Sequence, residues 1–410
     1  MHPYTRKYFL ISFIILILAS CIDPYVPDLE NYESLLVVDG LLTDEEASYI
    51  IQLSRTMEDE NSEPERISDA EITVTDQTGN TIFFRPAGNG IYITEPGSAR
   101  GQAGNTYILH IRTADGSEYE SDPCEMLPVP GIDRVYFDRD SELSADKQTT
   151  YQGISIYVDT DPSEGNNSYV RWEYQETWKF NVPYPRKYNY LNDSTFIPLN
   201  NIKDVCWKTN LSDRILTGSV LGSLSNGLKK KNICFIGSDR SDRLSLRYSI
   251  EVKQYSVSPG EFDYWNMLKQ VNEMGGDIFD SQPFPVAGNI HNINDPDEQV
   301  LGYFQVSAAK VKRIYISPGD ISEYELPGYK NDCSPFIVSP ENYPPPNPAA
   351  SSPTFDDIYN MFIQAGGFTF VEPQINPVSK KLEKLVFAPT GCSDCEMTGV
   401  SQKPDFWTDL

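Results

Sequence analysis

Glu71-Ile72-Thr73-Val74-Thr75 and Tyr107-Ile108-Leu109-His110-Ile111-Arg112 decide the fold class. In the first, Ile72 and Val74 alternate with Glu71, Thr73 and Thr75. In the second, Tyr107, Leu109 and Ile111 alternate with Ile108, His110 and Arg112. Side chains on a strand point to opposite faces in turn, so a period of two turns one set inward and the other toward solvent. Ile91 and Ile93 bracket Tyr92 in the same way. Turn chemistry separates these runs at Thr78-Gly79-Asn80, Asn89-Gly90 and Asp115-Gly116. Residues 34–127 therefore read as roughly seven short strands, an immunoglobulin-like or transthyretin-like sandwich.

Outward from there, Pro128-Val129-Pro130-Gly131 is the expected boundary, with two prolines to stiffen the chain and a glycine to turn it. Residues 131–410 form a larger β-rich region, expected as a second sandwich with one or two short helices. Its strand candidates are Val135 to Asp138, Gly153 to Val158, Tyr169 to Phe180, Ile215 to Leu221, Leu244 to Tyr255, Val300 to Ser307 and Arg313 to Ile316. One helix is signalled by Ser258 as N-cap, Pro259 at the first position and Glu261 closing a capping box. Tyr264, Leu268 and Val271 stripe it, Trp265 lies beside them, and Gly275-Gly276 ends it. A second helix is expected from Pro353 to Gln364, after the extended loop Pro344-Pro345-Pro346-Asn347-Pro348.

The other end carries an export signal. Arg6 and Lys7 precede an apolar run, Tyr8 to Leu18, too short to span a bilayer, which takes about 20 residues. Leu18-Ala19-Ser20-Cys21 matches the lipobox of bacterial lipoproteins, which predicts a signal peptide over 1–20 and lipid (palmitate among the acyl chains) on Cys21. Residues 21–33 then read as a tether. The mature chain would carry a net charge of −28, with 31 basic against 59 acidic residues. Such a chain repels phosphate backbones, so nucleic-acid binding is excluded, and its only expected hold on the membrane is the lipid. Six cysteines remain after Cys21: Cys124, Cys206, Cys234, Cys333, Cys392 and Cys395. An even number in an exported chain reads first as disulfides, with 15 connectivities open.

Further segments make the chain resemble a known family. Leu36-Val37-Val38-Asp39-Gly40-Leu41-Leu42 and Ile51-Gln52-Leu53-Ser54-Arg55-Thr56 come first. Asp204-Val205-Cys206-Trp207-Lys208-Thr209, Val252-Lys253-Gln254-Tyr255 and Gly288-Asn289-Ile290-His291-Asn292 follow. The last are Cys392-Ser393-Asp394-Cys395 and Lys403-Pro404-Asp405-Phe406-Trp407. With the lipobox cysteine, these resemble the Bacteroidota lipoproteins known as domain of unknown function 4249, across nearly the whole chain. The resemblance implies an outer-membrane lipoprotein on the periplasmic or cell-surface face, often associated with TonB-dependent receptors, and it brings no catalytic residues. Cys124 and Cys234 lie outside the pattern, so a bridge between them would be peculiar to this chain.

Cys392-x-x-Cys395 suits a redox pair, or a zinc site with Cys206 and Cys333. Disulfides are the favoured reading, with Cys392 and Cys395 joined to Cys206 and Cys333, and no metal or cofactor is expected. Asp159 to Gly165 places oxygens at alternate positions, but its glycine sits one place late for an EF-hand and Val170 stands where the bidentate Glu belongs, so a turn is preferred. The acidic run from Met57 to Glu65 reads as a solvated loop. Tyr184, Arg186, Tyr188 and Tyr190, with Trp172, Trp178 and Trp207 near in sequence, are the candidate ligand contacts. Aromatic faces stack on sugars or peptides, and arginine reads carboxylates. His110 and His291 have no activated serine or cysteine beside them in sequence, and no GxSxG, HExxH or phosphate-loop motif occurs. The expectation is a non-catalytic accessory or ligand-binding partner of a TonB-dependent transporter. Its rivals are a structural or adhesive surface protein and, less favoured, a hydrolase.

Overall fold

The computed structural model describes residues 34–57, 63–161, 167–220, 227–274, 285–343 and 351–409. Cys21, the signal segment and the tether therefore lie outside the described residues. So do part of the acidic run, positions 162–165 of the Asp159 turn, Gly275-Gly276 and the proline loop.

The protein is mainly β. The alternating stretches become Glu71–Asp76 and Thr106–Arg112, antiparallel neighbours in a ten-stranded sheet. Ile72, Val74, Leu109 and Ile111 are buried, as the period of two requires. Thr81–Gly88 turns the corner of this sheet, pairing first with Glu71–Asp76 and then from Arg85 with Ile91–Ile93, the second pairing carrying a register shift between Pro86 and Gly88. The sheet so folds over a single core, in which Leu36, Leu53, Tyr92 and Tyr119 are buried together.

Its two edges come from far along the chain. Val300–Ser307 runs parallel to Leu36–Thr43, and Ile290–Asn292 pairs antiparallel with Glu118–Ser121. Phe304 and Val306 of the returning strand enter the first core. Gly302 sits at φ +92°, and a Cβ there would lie 1.9 Å from the Val38 carbonyl oxygen, so close parallel pairing needs a glycine. Two strands from beyond Pro128–Gly131 thus complete the first sheet. Val129 is buried in the first core, while the Leu127 and Pro130 carbonyls accept hydrogen bonds from Ser256 (2.6 Å) and Gln254 (2.7 Å) of the second region.

That second region is a sandwich of its own. Gly131–Leu143, Thr150–Asp161 and Lys231–Gly237 form a three-stranded sheet. It covers a five-stranded one built from Val205–Leu211, Tyr169–Asn181, Arg247–Ser256, Ala309–Ile316 and Leu216–Ser219. Ile154, Ile156, Trp172, Tyr248 and Ile250 fill the space between. A smaller module follows: Phe336–Val338, Phe368–Ile375 and Leu382–Pro389 in one sheet, packed against helix Phe355–Ala365 and the hairpin Tyr188–Asn192/Thr195–Pro198.

Both expected helices form. The first, α1, spans Pro259–Met274, and the Ser258 hydroxyl accepts the Glu261 amide at 3.1 Å. Tyr264 is buried, with Leu268 and Val271 half-buried on the same side. The second, α2, is Phe355–Ala365, with Thr354 and Asp357 in a reciprocal capping box. Among the described residues no helix is long and apolar enough to cross a membrane.

Candidate binding groove

Strand Val205–Leu211 is one edge strand of the five-stranded sheet, and its alternation is set by what lies on each side. Cys206 turns into the core and Trp207 outward. Cys206 is bonded to Cys395, which fixes the C-terminal segment against this strand. Two backbone hydrogen bonds of 2.9 Å then join Trp207 and Val400 reciprocally. Gly399 permits the approach, since a Cβ there would meet the Phe180 ring at 2.6 Å and the Trp207 carbonyl oxygen at 2.8 Å. Around the Trp207–Val400 bridge the strand and the C-terminal segment enclose an open groove of about 730 Å³. Trp178, Trp207, Lys208, Thr209 and Asn210 line one side, and Met397 to Asp405 supply most of the other.

The far wall is pinned by rings and charges. Trp407 meets Trp207 edge to face at 6.2 Å and Tyr315 at 5.9 Å, and Arg313 stacks over Phe406 at 3.7 Å. Asp409 receives Lys403 at 2.8 Å and Lys179 at 3.4 Å, and the Lys403 hydrogen bond above all holds its carboxyl down at about 2. On the near wall Lys208 lies 4.1 Å from the centre of the Phe180 ring and 3.0 Å from Asp242. Lys203 closes on Glu396 at the groove's end. The result is a preformed cleft of aromatic, amide and hydroxyl surface whose own charges are largely paired. Such a surface suits binding.

The residues singled out from the sequence fall elsewhere. Tyr190 is buried in the small module, its ring stacked on Tyr359 at 4.2 Å and its hydroxyl donating to Asp356. Both its face and its polar tip are engaged within the module. Tyr188 packs partly buried in the same core, and Tyr184 packs against Val371, Val386 and Ala388. Arg186 bonds Asn189 within its own hairpin. This tyrosine-rich loop is a docking element between sandwich and module, and prolines and polar neighbours hid that. Trp172 and Trp178 are core residues whose indole N–H groups reach Gln254 and Asp242, each at 2.8 Å. Of the three tryptophans, Trp178 and Trp207 border the groove.

The cysteines resolve as Cys206–Cys395 and Cys333–Cys392. Cys124 and Cys234 are both free, which corrects the possible third bridge: one packs on the first core and the other lies in the second. Burial pushes the Cys124 thiol up to about 12 and raises Cys234 as well, so both are inert as nucleophiles. His110 lies between Thr75 and Glu120, at 2.8 Å from each, and His291 sits 3.8 Å from Asp122. Asp159 is held by Arg134 at 2.8 Å and by the Lys230 amide at 2.7 Å. Among the described residues no three histidine, cysteine or acidic side chains stand together as a metal site would need.

A polar cluster joins the two sandwiches. The Arg171 guanidinium contacts Glu173 at 2.7 Å and Gln305 at 2.9 Å, between the rings of Tyr255 and Trp265. Glu261 is buried nearby, and desolvation raises its carboxyl to about 7 against the opposing pull of Arg171. Neither its burial nor that of Arg171 was legible in the sequence, because both depend on the return of Val300–Ser307.

No curated protein matches the chain. The family model described as Domain of unknown function (DUF4249) matches residues 22–313, beginning directly after Cys21 and ending before the C-terminal wall of the groove, so the family likeness found covers less than the expected whole chain. That match spans well over half of the sequence, and the chain belongs to the DUF4249 family.

Proposed function

We propose that this is a non-catalytic lipoprotein of a Bacteroidota outer membrane, anchored through lipid on Cys21, that acts as an accessory or ligand-binding partner of a TonB-dependent transporter. The observation that carries the binding role is the groove beside Val205–Leu211, whose two walls are joined by the Cys206–Cys395 disulfide. A covalently fixed cleft is preorganised, which reduces the ordering cost of binding. Two disulfides also suit an oxidising compartment outside the cytoplasm, in keeping with Leu18-Ala19-Ser20-Cys21.

The test has two arms. Labelled palmitate is expected on the wild-type chain and not on Cys21→Ser, with the label in the outer-membrane fraction. Mild detergent extraction is expected to recover a TonB-dependent receptor with the wild-type chain. Repeated recovery of the protein without one would sink the transporter role. Lost surface attachment with normal nutrient uptake in a deletion strain would favour an adhesive role instead.

A further inference from the structure

Antiparallel pairing sends both backbone polar groups of a residue to the same side, and the side alternates along the strand. Val205–Leu211 pairs with Tyr169–Asn181 on its inner side. The Ser212 amide donates to the Tyr174 carbonyl at 2.8 Å, which places the even positions inward. Trp207 faces outward, to Val400. By the same alternation the N–H and C=O groups of Thr209 and Leu211 also face outward, Thr209 within the groove and Leu211 just past its lining, and no backbone hydrogen bond of theirs on that side occurs among the described residues.

We propose that this edge takes an extended, net-basic segment of a partner protein by strand addition, with Thr209 and Leu211 supplying the backbone bonds. The inference rests on the binding role proposed for the groove and names its mode and its partner's chemistry. The edge already accepts chain in this way, because Val400 forms the first rung of such a ladder at Trp207. An incoming segment continues that rung along the strand. Natural sheet edges are usually blunted by proline, a bulge or an outward charge. Thr209-Asn210-Leu211 has none of these, and its pairing register runs without a shift. Leu211, Met397 and Val400 are 74, 59 and 61 % exposed beside it, apolar surface of the kind that alternate side chains of an added strand cover.

Charge selects the occupant. Lys208 and Lys403 are neutralised by Asp242 and Asp409, and Glu396 by Lys203. Asp405 lines the groove with no ion pair among the described residues. The chain as a whole carries −26, so a basic segment is attracted and a second copy of the same chain repelled.

The experiment uses the full chain in mild detergent and a displayed library of random twelve-residue peptides. Enriched peptides are expected to be net basic and free of internal proline. Thr209→Pro removes the outward N–H while leaving the inward bonds of Lys208 and Asn210 in place, and is expected to weaken those peptides at least tenfold. Thr209→Val keeps the N–H and loses only the 3.0 Å hydroxyl contact with Thr177, and is expected to weaken binding far less than Thr209→Pro. Methylating alternate peptide nitrogens gives the same loss without altering the protein, which covers the case where Thr209→Pro does not fold. Hydrogen exchange at Thr209 and Leu211 is expected to slow only when peptide is bound. No enrichment, acidic or neutral selections, or binding indifferent to both Thr209→Pro and methylation would overturn the proposal. So would a dimer in sedimentation that Thr209→Pro dissociates, since the occupant would then be a second copy. A transporter that still co-purifies with Thr209→Pro overturns strand addition and leaves the accessory role standing, whereas a wild-type chain that retains nothing removes the role itself.

Discussion

The first sandwich and the small C-terminal module solve the same problem differently. Among the described residues the first gathers 24 buried apolar side chains in one cluster and holds no disulfide. The module has a cluster of six, Tyr190, Val338, Ile358, Phe370, Leu385 and Phe387, and Cys333–Cys392 ties the segment before it to the segment after. A small unit buries a smaller share of its surface than a large one, so its core alone gives little margin. Covalent closure offsets this by restricting the unfolded chain. The difference teaches where the chain invests apolar surface and where it invests cysteine.

The comparison can be broken at its strongest point. Phe304 is 1 % exposed and reaches the first core from the returning strand. Phe304→Ala is expected to destabilise by about 3–5 kcal/mol, read as a lower denaturant midpoint of the first sandwich. If the loss stays confined to residues beyond 314, the first sandwich does not depend on that strand. The converse is Cys333→Ser with Cys392→Ser. It is expected to weaken the module by about 2–4 kcal/mol, seen as faster amide exchange in Phe368–Ile375 and Leu382–Pro389 with the first sandwich unchanged. Uniform loss across the chain would mean the two regions fold as one unit.

The seam between the sandwiches gives a pH test. Glu261 is raised from an ordinary 4.5 to about 7, by burial first and against Arg171. The folded state therefore holds a proton that the unfolded chain has released between these values, so stability falls as pH rises through that window and is flat above it. Each unit is worth about 1.4 kcal/mol, so the whole change is on the order of 3 kcal/mol. Glu261→Gln is expected to flatten the slope. A slope unchanged in that variant assigns it to another group. The smallest expected effect is Thr354→Ala at the N-cap of α2, about 1 kcal/mol, confined to the module's exchange rates.

Much of the local fold was legible because its causes are local. The alternation at Ile72 and Val74 needs only a sheet with one wet face. Ser258, Pro259 and Glu261 start α1 by satisfying amides within one turn. The candidate site residues were less legible. Tyr190 and Trp207 are both aromatics near polar neighbours in sequence, yet one is stacked in a core and the other borders the groove. The residues that separate them, Tyr359 for the first and Val400 with Trp407 for the second, lie well over a hundred positions away.

The sequence by itself determined the strand-rich character, both helices and the strong negative charge. These follow from periodicity, capping and composition, which act over a few residues or over none. Only the tertiary structure decided that Val300–Ser307 closes the first sandwich, which cysteines pair, and that a groove opens along Val205–Leu211. A parallel pairing across more than 250 residues leaves no local mark, because its register is set by burial of one face against a core that exists only when both segments meet.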